Sequence, residues 1–303
     1  MSAITLRQIR EDPARGGLFG LLNEYIQPGS TTPASRAALS FAQGLVGGEG
    51  VHVDEAFLWR FWDDVFDVAA QIPHDHPAQD RLAAFARELA LVPETGDVVW
   101  ESRVWTDLPL LGAAIREHLD SAAFSTTSKS TSTNHSARVS FHAFVARLLH
   151  AGVSPGSETT AIWMLRDALE EEKEKEKGKD EGSNDTADDE DLMTAAVYIE
   201  YAGATFVQAL ALQPEPRLDE GQRRSLRGGR LWEKEWDKEV KEEGEEGEKV
   251  GGEKSGLTAR RWAFWGQRFR ERAGDEATAH EAKDLALHAA RLIEVWAQTR
   301  LAA

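Results

Sequence analysis

The chain has 303 residues, with 52 Asp and Glu against 35 Lys and Arg, so its formal net charge is −17 at neutral pH. It contains no cysteine, which excludes disulfide scaffolds, zinc–thiolate and iron–sulfur sites, and a cysteine nucleophile. Ten tryptophans and 41% hydrophobic residues are enough for a packed core, which excludes collagen-like and wholly disordered chains.

Helix signals recur along the chain, and no convincing alternating strand pattern is present. Apolar periodicity with start and stop residues predicts helices over 34–46, 55–72, 76–92, 107–120, 138–151, 157–170, 192–212, 256–273 and 275–301. Asp54 is the expected cap of the second of these helices. The sequence therefore predicts an all-α protein, a single irregular multi-helix domain over 1–303 with about nine to eleven helices.

Three segments have the composition of polar insertions in this scaffold. Residues 121–137 are a Ser/Thr-rich linker, 170–191 an acidic low-complexity segment, and 233–256 a charged low-complexity segment. None of them carries a continuous apolar stripe that a helix could bury, so solvated disorder is expected. The exception is the start of the third segment, where Trp232 and Trp236 favour a helix that frays. The insertions also carry most of the charge. Residues 170–191 contribute −8 and 233–254 contribute −5, which leaves only −4 for the remaining 259 residues.

Targeting and membrane signals are weak. The N-terminus has no basic region followed by an apolar one, as a secretory signal would. The most apolar window, Ala195 to Leu212, contains Glu200 and Gln208 and lacks basic flanks. A buried core helix is therefore favoured over a membrane span. The expectation is an intracellular protein, cytoplasmic or nuclear, with no membrane partner.

His74, Asp75, His76 and Asp80 form the best candidate for a metal site, with further aspartates on the preceding helix. Two imidazoles and carboxylates suit zinc or iron. The spacing lacks the pair of histidines four residues apart that places two ligands on one helical face. The same residue types are favoured at a helix start through capping and the macrodipole. A helix-start cluster is the favoured interpretation, and no metal or cofactor is predicted.

Glu200 is a carboxylate inside an apolar segment, where a charge is costly unless it is paired. Burial raises a glutamate pKa, which is how general acids are made, and Arg166 is a suitable partner. Glu200, Tyr201 and Arg166 are therefore the candidate polar site. A structural ion pair between two core helices is the competing interpretation and the favoured one.

Two arginine clusters raise the question of nucleic acid. They are Arg217, Arg223, Arg224, Arg227 and Arg230, and Arg260, Arg261, Arg268, Arg270 and Arg272. The second is interleaved with Trp262, Phe264 and Trp265, as in a base-stacking surface. The favoured interpretation has these aromatics facing inward and the arginines solvated or paired with the acidic insertions. Nucleic acid is therefore disfavoured as a partner.

Four motifs follow one another along most of the chain: Ile72–Leu82, Ala161–Glu170, Tyr198–Gly203 and Arg261–Phe269. Together they resemble a fungal family known as domain of unknown function 3632. The resemblance implies a helical protein with no assigned reaction, cofactor or catalytic residue.

The sequence alone does not assign a function. The absence of a complete catalytic constellation favours a non-catalytic helical protein that binds another protein. One alternative is an enzyme or small-molecule binder with a pocket around Glu200, Tyr201 and Arg166. The other is a nucleic-acid-associated protein that uses the clusters Arg217–Arg230 and Arg260–Arg272.

Overall fold

The computed structural model of the chain describes residues 3–8, 17–47, 53–120, 136–154, 156–172, 181–214, 216–245 and 254–301. Within these ranges the regular secondary structure is helical, apart from one short hairpin. Its α-helices are α1 (Leu18–Tyr25), α2 (Ala34–Gly47), α3 (Glu55–Gln71), α4 (Ala78–Leu89), α5 (Leu111–Asp120), α6 (Ala137–His150), α7 (Ser157–Leu169), α8 (Glu181–Leu212), α9 (Glu220–Ser225), α10 (Arg230–Glu245), α11 (Ala259–Gly274) and α12 (His280–Trp296). A π-helical turn, Ala297–Leu301, follows α12, and two short strands, β1 (Val98–Val99) and β2 (Ser102–Arg103), form a hairpin.

The all-α class predicted from the sequence is confirmed. The described ranges contain twelve α-helices, slightly more than expected, because the short helices α1 and α9 were not predicted and α10 was expected only as a fraying start of a charged segment. The chain groups into two compact units, Met1–Gly156 and Ser157–Ala303. The first contains α1 to α6 and the hairpin, and the second contains α7 to α12. The expectation of a single domain over 1–303 stays a prediction.

The first unit is built around the aromatic face of α3. Asp54 caps this helix as predicted, since its Oδ1 accepts the Phe57 N–H at 2.7 Å. Phe61 and Trp62 are buried, and Phe61 packs against Phe41 of α2 and edge-on to Trp62. Burial of each such ring contributes roughly 1.5–3 kcal/mol to stability. The same helix therefore fixes the positions of α2 and α6 around it.

The second unit is built on close contacts between α8, α11 and α12. Gly203 of α8 lies against the indole of Trp296, and a Cβ there would be 2.1 Å from Trp296 Cζ3. Gly266 of α11 lies similarly close to Ile293, at 2.8 Å from its Cγ2. A side chain at either position would force Trp296 or Ile293 to move, so glycine permits the close approach of these helices.

One described helical segment, Ala187–Leu212, is long and apolar enough to cross a membrane by its length and composition. Just over half of its apolar window, 56%, is buried inside the protein. Its buried side chains pack in the second unit, where α8 contacts α7 and α12. This is the environment of a core helix, the interpretation that the sequence favoured.

The predicted insertions lie only in part within the described residues. The disorder expected for 121–137 falls on residues 121–135, which lie outside the described residues, as do 173–180 and 246–253. Helix covers the ends of the other two insertions. The helix α8 begins at Glu181, where disorder was expected, whereas α10 (Arg230–Glu245) begins at the turns where a fraying helix was expected. Acidic residues suit the first turns of a helix. In addition, Asp189 of α8 accepts the Ala279 N–H at the start of α12.

Candidate functional site

The candidate polar site on α8 is less enclosed than expected. Glu200 and Tyr201 are half-buried, and Arg166 on α7 donates from Nε to Asp167 Oδ1 at 2.9 Å. Within the described part of the chain, no hydrogen bond or ion pair joins Arg166 to Glu200. The three residues stay a prediction as a ligand site, and the ion pair proposed between them is not formed.

The residues His74, Asp75, His76 and Asp80 lie around the start of α4. His76 Nδ1 accepts the Ala78 N–H at 3.1 Å. Arg147 of α6 donates from Nε to Asp80 Oδ1 at 2.6 Å and from Nη2 to the His74 carbonyl at 3.0 Å. These contacts join the start of α4 to α6. In the described ranges, no group of three or more His, Asp or Glu side chains is arranged to hold a metal ion.

Among the described residues, the fully buried carboxylate is that of Glu170, which the sequence analysis had placed in the acidic insertion. Glu170 and Arg261 of α11 both have 0% exposed side chains. Arg261 donates from Nε to Glu170 Oε1 at 2.6 Å and from Nη2 to Oε2 at 3.0 Å. Trp265 Nε1 donates to Oε1 at 2.6 Å, and the Gly229 N–H donates to Oε2 at 2.7 Å. Every oxygen of the carboxylate therefore accepts two hydrogen bonds.

The remaining donors of Arg261 bind main-chain carbonyls. Nη1 donates to Leu226 and Gly256 at 2.8 and 2.9 Å, and Nη2 donates to Arg227 at 3.2 Å. The pair therefore joins α7 and α11 to the loops before α10 and α11. We call Glu170, Arg261, Trp265 and Gly229 the Glu170 cluster. Because both charges are sealed and paired, the cluster is structural and leaves no face for a substrate.

The arginine-rich helix α11 does not present a stacking surface. Trp262 and Trp265 are 0% exposed and Phe264 is 9% exposed, so their rings lie in the core as the favoured interpretation required. Arg270 pairs with Glu294, and Arg268 pairs with Glu271. Arg261 corrects the expectation of a solvated or surface-paired arginine, because it is buried against Glu170. Nucleic-acid binding stays an untested prediction.

A strained hairpin in the first unit was not predicted at all. Val98 pairs with Arg103 and Val99 with Ser102, which leaves Trp100 and Glu101 as a two-residue loop. Their φ angles are 51° and 61°. Positive φ at both central residues is the requirement of a type I′ turn, which Asn-Gly normally fills. We call residues 98–103 the Trp100 hairpin.

The Trp100 hairpin exposes its aromatic side chain. Trp100 is 58% exposed, Val98 is 60% exposed and Leu91 is 70% exposed. These are the exposed large apolar side chains of the described part of the first unit, and all fall within ten residues. The indole is nevertheless held in place, because Trp100 Nε1 donates to Glu55 Oε2 at 3.0 Å. The hairpin therefore presents a fixed aromatic side chain to solvent.

The surroundings of the Trp100 hairpin are acidic. Residues 91–107 contain Glu94, Asp97, Glu101 and Asp107 against one cation, Arg103. Arg103 donates to Asp107 Oδ1 at 2.9 Å and to Glu94 Oε1 at 2.7 Å. The hydrogen bonds from Arg103 lower the pKa of Asp107, which keeps that carboxylate charged. The segment therefore places four carboxylates and one cation near its exposed apolar side chains.

His142 of α6 gives the first unit a testable pH dependence. The imidazole is fully buried, and burial lowers its pKa well below the ordinary value of 6.5, with further lowering from Arg138 and His118. It stays neutral in the folded protein, whereas the unfolded chain takes up a proton near pH 6.5. Stability is therefore expected to fall as the pH drops below about 6.5, by up to about 1.4 kcal/mol per pH unit.

The pH dependence is measured by urea denaturation at pH 7.0 and 5.5. His142→Gln is expected to lose less stability than the unaltered protein over this interval, because it removes the difference in proton uptake. His280→Gln is the matched control, since that imidazole is 90% exposed and should leave the pH dependence unchanged. Equal losses for His142→Gln and the unaltered protein would contradict the assignment.

The comparisons with known proteins give a family and no activity. A family model described as Protein of unknown function (DUF3632) matches residues 62–269. No curated protein and no solved structure matches the chain. The matched residues include the Trp100 hairpin and the Glu170 cluster.

Proposed function

Since the chain belongs to the family of proteins of unknown function DUF3632, we propose its function from its own geometry: a non-catalytic protein that binds another protein through the Trp100 hairpin. The observation that carries this proposal is an exposed tryptophan, fixed in one orientation at the end of a strained turn. Tryptophan is enriched among the few residues that supply most of the binding energy at protein interfaces.

The backbone strain of the hairpin supports a binding role. A left-handed conformation costs a residue other than glycine about 1–2 kcal/mol. All four non-glycine residues with positive φ in the described chain lie between 100 and 110, namely Trp100, Glu101, Leu108 and Leu110. Strained residues of this kind cluster at functional sites and persist only where the surrounding structure holds them. Asn-Gly would form the same turn with less strain and would lack the exposed ring.

The charges near the hairpin define the chemistry of the partner. Trp100 lies between Glu55, which accepts its indole N–H, and Glu101, which is exposed beside it. Complementary potentials fix the orientation and speed the association of two proteins. The partner is therefore a protein with an apolar pocket for the Trp100 ring, rimmed by lysine or arginine side chains.

The proposal is tested by mapping where a partner contacts the full-length chain. A photo-crosslinking residue is placed at Val98 in one variant and at Leu287 in another, since both side chains are exposed large apolar residues. Proteins joined only to position 98 are identified and purified, and hydrogen exchange of the unaltered chain is measured with and without each. We expect slower exchange of the amides in residues 91–103 when the partner is added.

Three outcomes would contradict the proposed site. Cross-links from position 287 with none from position 98 would place the interface elsewhere. A purified partner that slows exchange only in the second unit would do the same. A partner surface that is acidic at the cross-linked residue would contradict the charge complementarity.

A further inference from the structure

The N-terminal segment, residues 3–8, is bound to the first unit through its main chain. Gln27, just after α1, forms a closed pair of hydrogen bonds with Ile4: the Ile4 N–H donates to Oε1 at 3.1 Å, and Nε2 donates to the Ile4 carbonyl at 2.9 Å. A neighbouring β-strand binds a residue in the same way, with one donor and one acceptor.

Gln71, the last residue of α3, repeats this arrangement three residues further along the segment. The Arg7 N–H donates to Gln71 Oε1 at 2.8 Å, and Nε2 donates to the Arg7 carbonyl at 3.1 Å. Two side-chain amides on different elements therefore each recognise the N–H and C=O of one residue. These groups are common to every peptide.

Both glutamine amides are held in position by their own helices. Gln27 Nε2 also donates to the Asn23 carbonyl at 3.0 Å, and Gln71 Nε2 donates to the Asp67 carbonyl at 2.9 Å. In each case the acceptor of this third hydrogen bond is the main-chain carbonyl four residues before the glutamine in the sequence. It fixes which end of the amide is the donor and directs the oxygen toward the incoming N–H. A site whose groups are fixed beforehand loses less entropy when it binds.

The side chains of the segment give the site its selectivity. Ile4 and Leu6 are half-buried, whereas Ala3, Thr5 and Arg7 are exposed, which is the alternation of an extended chain bound by one face. Arg7 lines a small surface cleft with apolar side chains of α1 and with Asp64 and Asp67 of α3. The site therefore accepts an extended segment with two apolar residues separated by one residue, followed by a cation.

We propose that Gln27, Gln71 and the acidic cleft on α3 form a binding site for an extended peptide from a partner protein. Residues 3–8 occupy this site in the free protein, and a partner segment with the pattern apolar, any, apolar, basic replaces them. Addition of an extended peptide through its main chain is an established mode of protein recognition. This inference is independent of the Trp100 hairpin, because it depends on other residues and another ligand chemistry.

The test uses the full-length chain and a fluorescent peptide with the sequence of residues 3–8. Leu6→Asp weakens the resident segment, so this variant is expected to bind the free peptide at least 10-fold more tightly than the unaltered protein does. The resident segment competes in the unaltered protein at an effective concentration of roughly millimolar. Adding Gln27→Ala and Gln71→Ala to Leu6→Asp should weaken binding at least 10-fold, whereas the control Gln298→Ala should not.

A second measurement needs no variant. In the unaltered protein, excess free peptide should speed hydrogen exchange of the Ile4 and Arg7 amides, because the displaced segment loses its glutamine partners. The proposal would be overturned if excess peptide left the exchange of these amides unchanged. It would also be overturned if Gln27→Ala and Gln71→Ala left peptide binding unchanged. Concentration-dependent dimers that Leu6→Asp abolishes would assign the site to a second copy of this chain and would also overturn the proposed partner.

Discussion

Glu170→Gln is expected to lower the free energy of unfolding by about 3–5 kcal/mol, the usual cost of removing one partner from a buried ion pair. The substitution keeps the size of the side chain but leaves the Arg261 guanidinium charged and fully buried without a counter-ion. It also places an amide group where one oxygen now accepts from both Arg261 and Trp265. The loss therefore comes from an uncompensated charge and from mismatched donors.

Urea denaturation measures this loss, and Glu294→Gln provides the matched control. Glu294 of α12 pairs with Arg270, which lies on α11 as Arg261 does. The side chains of this pair are about half exposed, 52% for Glu294 and 50% for Arg270. Exposed pairs contribute roughly 0–1 kcal/mol, so the control should change stability by no more than that. Similar losses for the two variants would contradict the structural role of the Glu170 cluster.

Gly229→Ala is expected to be the second most damaging substitution, with a loss of about 2–3 kcal/mol from overpacking. A Cβ at Gly229 would lie 2.7 Å from Glu170 Cβ and 2.8 Å from its main-chain carbon and oxygen. Main-chain atoms at the end of α7 cannot move aside cheaply. Any shift would also stretch the 2.7 Å hydrogen bond from the Gly229 N–H to Glu170 Oε2.

Gly44→Ala is the control for this substitution. Gly44 lies inside α2, is exposed, and would bring its new Cβ within 4 Å of nothing outside its own turn of helix. Alanine is favoured over glycine in a helix by roughly 0.5–1 kcal/mol, so this variant should be slightly more stable than the unaltered protein. The two midpoints of thermal unfolding should therefore move in opposite directions. If Gly229→Ala lowered the free energy of unfolding by less than a typical surface substitution does, the close approach of Gly229 to Glu170 would be contradicted.

The helices could be predicted because each carries a local signal. The face of α3 that contains Phe61 and Trp62 follows the helical period, and Asp54 marks its start. The aromatics of α11 were likewise expected to face inward, and they do. These features depend on residues close together in the sequence, so composition and spacing were sufficient. The start of α8 at Glu181 was missed, because its first turns are acidic and carry no apolar stripe.

The Glu170 cluster could not be predicted because its members are distant in the sequence. Glu170 and Arg261 are 91 residues apart, and each stands beside residues of similar charge that suggested a solvated position. A weak signal did exist. Glu170 follows Ala168 and Leu169 at the end of an apolar helix, and Arg261 directly precedes Trp262, so both stand at the edge of an apolar run.

The Trp100 hairpin was missed for a different reason. Each of its strands has only two residues, too short for an alternating pattern to be recognised. Its loop is Trp-Glu, whereas the sequences typical of such a turn are Asn-Gly and Asp-Gly. The surrounding fold imposes the strained conformation, and no local preference could reveal it.

The central claim is that the exposed Trp100 ring binds a partner protein, and one affinity ratio tests it most directly. The dissociation constant of the complex reconstituted with the purified partner is measured for the unaltered chain, Trp100→Ala and the control Leu212→Ala, whose side chain is 79% exposed in the second unit. Removing a central aromatic residue should raise the constant at least 10-fold, a loss of about 1.4 kcal/mol. The account predicts this rise for Trp100→Ala with no change for Leu212→Ala. A constant for Trp100→Ala equal to that of the unaltered chain would contradict it.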